Sequence, residues 1–192
     1  MIKMTDFRII LASNSPRRKE LLSGIDVEYE VRTLPDIDES FPASLPHEEV
    51  AEFLACKKAD AYLSALKADE LLITADTIVL LDGMILGKPA DKDEAADMLR
   101  NLAGKRHRVI TGVGMTTFGR QLRFSDTAYV TFGPLSDEEI SYYVSRYNPL
   151  DKAGAYGVQE WIGYVAVEKI EGSYFNVMGL PIHKVYHALK QF

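Results

Sequence analysis

The sequence predicts an α/β fold in which a mixed, twisted sheet is flanked by helices. Two observations lead to this prediction. Apolar runs of strand length alternate with helical patterns in the first half of the chain, which is typical of strands joined by helices. Two long segments rich in Val, Thr, Tyr and Phe follow one another in the middle of the chain, which indicates an antiparallel pair.

The first half of the chain has clear start and stop signals. Ser15 and Pro16 are typical of a helix start, and Asp82 with Gly83 is typical of a hairpin turn. The segment 34–46 contains three prolines and several acidic residues, so it predicts a surface loop. The predicted elements are, in order, a strand at 8–12, a helix to about residue 23, a strand at 27–32, the loop, a long helix at about 47–66, a strand at 71–81 and a short strand at 84–86.

The second half predicts three helices and three strands. Ser136 followed by Glu139 forms the pattern of a capping box at the start of a helix, and Gly119 with Arg120 separates the two long middle strands. The predicted elements are a helix at about 92–102, strands at 107–118 and 121–132, a helix to about 146, a Gly-rich loop at 152–157, a strand at 164–170, a polar turn and a helix after residue 181. We expect one domain over residues 1–192, with a cleft where strand ends and loops converge.

Composition limits the classes of function. The chain has 192 residues and a formal net charge of -6, which argues against a protein that binds nucleic acid by broad neutralisation of phosphates. The single Cys56 cannot form an internal disulfide, which fits a reducing compartment. No apolar run approaches the roughly 20 residues of a membrane span. We therefore expect a cytoplasmic protein that binds neither membranes nor nucleic acid.

The first helix begins with an unusual distribution of charge. Its first turn contains Arg17, Arg18 and Lys19, although the helix dipole favours anions at this end. A bound phosphate would remove the mismatch, because free N–H groups, the dipole and the guanidinium groups would all face it. The alternative is a solvated basic turn, and these residues alone do not decide between the two.

Asp76 is the second anomaly, because it lies inside an otherwise apolar strand. A carboxylate buried there must be paired, bind a metal or open to a cleft. We favour a functional carboxylate, either a metal ligand or a general base, over a structural ion pair.

Two lysines interrupt the apolar face of the long helix. Lys57 and Lys58 follow Phe53 and Leu54 by four residues each, so at least one of them leans toward the core side. Periodicity does not choose between them, and long lysine stems that lie along apolar surface are an ordinary explanation. Lys88 and Lys152 are unremarkable by themselves.

Together these segments resemble the Maf family of nucleotide pyrophosphatases. The resemblance runs from near the N-terminus to near the C-terminus, and several motifs in one order are more specific than any single one. The matching segments are Ser13-Asn14-Ser15-Pro16-Arg17-Arg18 with Glu20-Leu21-Leu22, Asp38-Glu39, Lys58-Ala59, Ala75-Asp76-Thr77-Ile78-Val79, Gly87-Lys88-Pro89, Thr111-Gly112-Val113, the stretch from Asp151 to Gln159, Gly172-Ser173-Tyr174 and Gly179-Leu180-Pro181.

The resemblance implies a fold, a reaction and a set of site residues. The implied fold is elongated with a central cleft, similar to inosine triphosphate pyrophosphatases, and a homodimer is expected. The implied reaction is metal-dependent hydrolysis of a nucleoside triphosphate to its monophosphate and pyrophosphate. The implied catalytic residues are Asp76, Glu39, Lys58 and Lys88, with Glu39 and Asp76 also holding Mg²⁺ or Mn²⁺. The implied substrate-binding residues are Ser13, Ser15, Arg17, Arg18, Thr77, Lys152 and Gln159.

The resemblance also suggests the substrate. Arg17, Thr77 and Gln159 match the subfamily that prefers dTTP and UTP, and modified pyrimidine nucleotides are further candidates. Glu160 and Trp161 depart from the small, Gly-rich continuation expected after Gln159, so the base pocket is open to reshaping. Alternative readings are a pyrophosphatase for modified purine triphosphates and a nucleotide-sensing regulator of cell division. A nucleic-acid binder is a weaker third alternative because of the acidic balance.

Overall fold

The computed structural model describes residues 5–192. Within these residues the strands are β1 (Arg8–Leu11), β2 (Tyr29–Val31), β3 (Glu70–Leu81), β4 (Met84–Leu86), β5 (Arg106–Thr116), β6 (Gln121–Phe132) and β7 (Val167–Glu171). The α-helices are α1 (Pro16–Ser23), α2 (Val50–Asp60), α3 (Lys92–Leu102), α4 (Asp137–Tyr147), α5 (Trp161–Ala166), α6 (Tyr174–Met178) and α7 (Ile182–Leu189).

The strands form a mixed sheet, as the sequence predicts. Their order is β2-β1-β3-β5-β6-β7, and β4 pairs with β3. The pairs of β1 with β2 and with β3 are parallel, whereas β4 with β3 and β7 with β6 are antiparallel. The predicted mixed α/β fold is therefore confirmed.

The chain divides into two compact units. Unit 1 contains the chain up to Asp76 together with Thr111–Asp126 and Gly179–Phe192, and unit 2 contains Thr77–Ile110 and Thr127–Met178. The prediction of one domain over residues 1–192 stays a prediction. No helix of the described residues is long and apolar enough to cross a bilayer.

In unit 1, α2 packs closely on the sheet. Ile10 and Leu72 from neighbouring strands form a buried cluster with Ala59, Tyr62 and Leu66. At Gly112 of β5 a side chain is excluded, since a Cβ atom there would lie 2.2 to 2.3 Å from backbone atoms of Ala51 and Glu52. The close approach of the two backbones sets the position of α2, and with it the position of Lys58.

In unit 2, α3 and α4 both begin with a side-chain cap, and the cap of α4 was predicted. The side chain of Asp91 accepts a hydrogen bond from the amide of Glu94, and Ser136 with Glu139 forms the predicted capping box. Each such cap contributes about 1 kcal/mol. The helix α3 covers the predicted range, and its buried residues, Ala95, Met98, Leu99 and Leu102, repeat at helical spacing.

Three sequence predictions of local structure are wrong. The helix predicted at 47–66 is α-helical only over Val50–Asp60, with short 3-10 turns at His47–Glu49 and Leu63–Ala65. The helix ends where Tyr62 turns inward, because its hydroxyl accepts a hydrogen bond from the amide of Leu34 at 2.9 Å. The strand predicted at 164–170 begins only at Val167, since residues up to Ala166 belong to α5, and the short helix α6 replaces a predicted turn.

The burial of His107 predicts a pH-dependent stability of the protein. The imidazole is 2% exposed, packs against Phe132 and Tyr156, and has its Nε2 atom 2.8 Å from the Tyr156 hydroxyl. Burial lowers the pKa of His107 to about 4 from 6.5. Between pH 6.5 and pH 4 the unfolded chain therefore binds a proton at His107 that the folded protein does not bind. The neutral, buried imidazole contributes fully to stability above pH 6.5, and this contribution is lost as the pH falls toward 4.

We expect the free energy of unfolding to fall by about 2 kcal/mol between pH 7 and pH 5 through this one group. Urea unfolding at both pH values measures the change. His107→Gln keeps a partner for Tyr156 but does not titrate, so most of the difference should disappear. His183→Gln, which changes an exposed histidine, should leave it in place, and an equal pH dependence in all three proteins would contradict the assignment.

Candidate active site

Asp76 is positioned by the contact between β3 and α2 in unit 1. Thr74, two residues earlier on the same face of the strand, donates a hydrogen bond from its hydroxyl to the Ala55 carbonyl at 2.7 Å. Lys58 lies three residues after Ala55 and therefore on the same face of the helix. The buried Thr74 contact thus places Asp76 opposite Lys58.

Lys58 joins two carboxylates. Its Nζ atom lies 2.5 Å from Oδ1 of Asp76 and 2.8 Å from Oε1 of Glu39, so these two oxygens are at most about 5.3 Å apart. The side chains of Lys58 and Asp76 are 15% and 14% exposed, whereas that of Glu39 is 49% exposed. The cluster is therefore open on the Glu39 side and closed against the core on the Asp76 side.

The basic entrance of α1 reaches the same cluster. Arg18 donates from Nε to the Gly179 carbonyl at 2.8 Å and from Nη1 to the Ala75 carbonyl at 2.9 Å. Burial lowers the pKa of Arg18, and the nearby charge of Asp76 acts in the opposite direction. The guanidinium is thus fixed beside the peptide that precedes Asp76.

The helix α1 starts at the predicted residue, but the predicted cap of its first turn is not formed by a side chain. Ser15 is the N-cap and Pro16 follows, yet the Ser15 side chain makes no capping hydrogen bond. Its amide instead donates to the hydroxyl of the buried Ser13 at 3.2 Å. Arg17 lies in the first turn, which holds no acidic residue. The observed turn keeps the charge mismatch that suggested an anion site.

The loop at 34–46 is attached to α2 through Lys57. The Nζ atom of Lys57 donates to Oδ2 of Asp38 at 2.7 Å and to the Ser40 carbonyl at 2.7 Å. Asp38 in turn accepts hydrogen bonds from the amide and the hydroxyl of Ser40. These contacts flank Glu39 on both sides, so adjacent lysines hold adjacent loop residues. Periodicity left Lys57 and Lys58 undecided, and the structure gives each a carboxylate partner.

Unit 2 contains the remaining predicted residues. Lys88 is exposed in the segment after β4, and that segment is tied to the Gly-rich loop by a hydrogen bond from the Gly154 amide to the Gly87 carbonyl at 3.0 Å. Thr77 follows Asp76 in β3 and is half-buried. Lys152 is buried, and its Nζ atom lies 2.7 Å from Asp151.

Gln159 occupies a tight turn closed by a hydrogen bond from the Glu160 amide to the Gly157 carbonyl at 2.9 Å. Its Oε1 atom is buried and has no hydrogen-bond partner within the protein. Such an atom is costly unless a ligand satisfies it. A ligand or a water molecule that donates a hydrogen bond would satisfy this acceptor.

The carboxylates of Glu39 and Asp76 suit a hard divalent cation. Mg²⁺ is typically held by one or two carboxylates, with water and substrate phosphates completing the coordination. Among the described residues no group of three or more His, Cys, Asp and Glu side chains is placed to hold a metal. The donor set fits a metal that arrives with a phosphate-bearing ligand better than one held by protein alone.

Comparison with known proteins shows the family. The model of the family described as Maf-like protein matches residues 8–192, and the chain belongs to this family. A protein of Bacteroides thetaiotaomicron named dTTP/UTP pyrophosphatase is 60% identical over 96% of both chains, and one of the same name from Phocaeicola vulgatus is 58% identical over 96% of both.

A solved structure from Mycobacterium abscessus, titled nucleoside-triphosphatase or dITP/XTP pyrophosphatase, has a TM-score of 0.41 to this chain. Its identity is 13%, and the alignment covers 67% of this chain and 76% of that one. Similarity at this level adds nothing to the assignment of the fold.

Proposed function

We propose that the protein is a nucleoside triphosphate pyrophosphatase that hydrolyses dTTP and UTP to the monophosphate and pyrophosphate. Two relatives of this name match nearly the whole chain at 58% and 60% identity. The observation that carries the chemistry is the ammonium of Lys58 between the carboxylates of Asp76 and Glu39. This cluster combines an acceptor for a proton with a cation for phosphate charge.

In the proposed mechanism, Asp76 accepts the proton of the water that attacks the α-phosphorus. The bond between that phosphorus and the oxygen bridging to the β-phosphate breaks, and pyrophosphate leaves with its electron pair. Lys58, Arg17 and Arg18 neutralise charge that grows on the phosphate oxygens. Ser13 and Ser15 add hydrogen bonds to phosphate at the entrance of α1.

Glu39 and Asp76 would hold the divalent metal, Mg²⁺ or Mn²⁺. When bound, the metal supplies positive charge to the phosphates and orients them. The half-exposed position of Glu39 supports this role, because its carboxylate can turn from Lys58 toward a ligand arriving from solvent.

Four residues of unit 2 are also proposed as substrate-binding residues. Lys88 is proposed to bind phosphate, and Lys152 is proposed to belong to the substrate site. Thr77 and Gln159 are proposed to read the pyrimidine. The buried, unpartnered Oε1 atom of Gln159 supports this, because uracil and thymine both offer an N3–H donor. A homodimer and a cytoplasmic location stay predictions, the latter supported by the single Cys56, which has no disulfide.

A nucleotide panel tests the proposal. We expect pyrophosphate release with added Mg²⁺ or Mn²⁺ to be fastest with dTTP and UTP, and slower with CTP, dITP, XTP and 7-methyl-GTP. Preference for a modified purine would favour the alternative specificity. Tight nucleotide binding without turnover would favour a sensing protein and contradict the proposed enzyme.

Lys57 is expected to influence the metal requirement through Glu39. Lys57→Met removes the ammonium that joins Asp38 and Ser40 to α2 but keeps most of the apolar stem, so Glu39 becomes less well ordered. Exposed ion pairs contribute about 0.2 to 1 kcal/mol, and we expect the Mg²⁺ concentration for half-maximal rate to rise about two- to fivefold.

A titration of rate against Mg²⁺ at saturating UTP measures this effect. Lys169→Met is the control, because it removes one of the two cationic partners of an exposed glutamate on β7, Glu171, without touching the loop. An unchanged Mg²⁺ requirement in Lys57→Met would show that the loop is held in another way.

A further inference from the structure

Glu160 is at the centre of a buried polar network in unit 2. Its Oε2 atom accepts a short hydrogen bond from the hydroxyl of Tyr143, and its Oε1 atom lies 3.2 Å from Nζ of Lys152. The Tyr143 hydroxyl also accepts a hydrogen bond from the Gly157 amide at 3.0 Å. Tyr143 is fully buried, and the side chains of Lys152 and Glu160 are 8% and 20% exposed.

This network surrounds the turn that carries Gln159. A Cβ atom added at Gly157 would lie 2.8 Å from Cδ of Glu160 and 3.1 Å from Nε2 of Gln159. The Glu160 carboxylate and the Gln159 amide therefore both lie beside Gly157, and a larger residue there would displace them. Movement of the Glu160 carboxylate would free space next to the Gln159 amide.

The electrostatics of the network favour a single arrangement. Burial, and then the hydrogen bond to Glu160, raise the pKa of Tyr143, so its hydroxyl stays a donor to the carboxylate. That leaves the oxygen lone pairs of Tyr143 for the Gly157 amide. The positive charge of Lys152 is shared by Asp151 and Glu160, so its ammonium is held between these two carboxylates.

We propose that Glu160 is a positioning residue which, braced by Tyr143 and Lys152, orients the Gln159 amide so that its unpartnered Oε1 atom faces the pyrimidine. The consequence is selectivity for bases with an N3–H donor, uracil and thymine, over cytosine, whose N3 is an acceptor. This inference rests on the proposed function. It gives a role to Glu160, at a position where the family resemblance implies a small residue.

The test is the ratio of kcat/KM for UTP to that for CTP. In Glu160→Gln the negative charge that holds Lys152 and Tyr143 is lost while the size is kept. We expect the UTP to CTP ratio to fall about tenfold, mainly through a higher KM for UTP, because a misplaced buried acceptor no longer meets its donor. Tyr143→Phe should shift the ratio in the same direction. Glu160→Asp keeps the charge and should keep part of the wild-type preference for UTP over CTP.

A merely structural role predicts a different result. It would lower the melting temperature of Glu160→Gln while the folded enzyme kept the wild-type ratio, and that outcome would overturn the proposal. Lys169→Gln, which changes an exposed lysine of β7, is the control for a general effect on unit 2.

A measurement without turnover separates this proposal from the proposed function. The side-chain amide of Gln159 gives its own ¹⁵N–¹H signals, and we expect its heteronuclear NOE to fall clearly in Glu160→Gln. If the wild type failed to hydrolyse UTP, the proposed function would be refuted. The NOE measurement would still test whether Glu160 orients the Gln159 amide. An unchanged NOE would overturn the positioning role whatever the activity.

Discussion

Asp76→Asn is expected to abolish pyrophosphate release from UTP and dTTP while leaving the fold intact. The amide has nearly the size of the carboxylate but cannot accept the proton of the attacking water, and it lacks the charge that pairs with Lys58. Loss of a general base alone typically costs about 10²- to 10⁴-fold, and loss of a metal ligand adds to it. We expect kcat to fall by at least about 10³-fold, measured by pyrophosphate release at saturating Mg²⁺.

The chain offers a matched control on β6. Asp126 is also 14% exposed and is also paired with a lysine, Lys184, at 2.6 Å. Asp126→Asn therefore removes a carboxylate of similar burial and pairing from unit 1, and we expect it to leave kcat near the wild-type value. Turnover of Asp76→Asn at the control's rate would remove Asp76 from the mechanism.

Lys58→Ala is expected to have the second largest effect. Its removal takes away the cation shared by Asp76 and Glu39 and leaves two carboxylates within about 5.3 Å without their common partner. It also removes positive charge from the site where the phosphates are proposed to bind. Deleting one such stabilising group costs about 10²- to 10³-fold in kcat, which steady-state kinetics with UTP would measure.

Two further variants make the Lys58 result interpretable. Lys184→Ala breaks the comparable pair with Asp126 and should keep nearly full activity. Lys58→Arg keeps the charge in a larger, planar group and should recover only part of the rate. A full rate in Lys58→Ala would reject the assigned role, and equal losses in Lys58→Ala and Lys184→Ala would point to stability instead of catalysis.

Much of the fold follows from local signals in the sequence. The bounds of α3 and the capping box of α4 were predictable because the caps and the apolar repeat lie within a few residues of each other. The end of α2 after Asp60 was not predictable, because it depends on a contact between Tyr62 and Leu34, which lies 28 residues earlier in the chain. The helix over residues 161–166 was also missed, because its apolar and β-branched residues resemble those of a strand.

The candidate site was predictable to the extent that it violates structural rules. Asp76 in an apolar strand and the cations at the start of α1 are visible in the sequence, and the structure shows that Asp76 has a lysine partner. Which lysine serves this role was not predictable from periodicity, because Lys57 and Lys58 differ by only one position on the helix. The hydrogen bond from Tyr143 to Glu160 gave no signal in the sequence, because a tyrosine in an amphipathic helix looks like any other core residue.

In the proposed reaction, water attacks the α-phosphorus of a pyrimidine nucleoside triphosphate at the Asp76 cluster. Hydrolysis of UTP in H₂¹⁸O, followed by mass spectrometry of the products, tests it most directly. We expect one ¹⁸O atom in UMP and none in pyrophosphate. Label in pyrophosphate, or formation of UDP with inorganic phosphate, would rule out attack at the α-phosphorus.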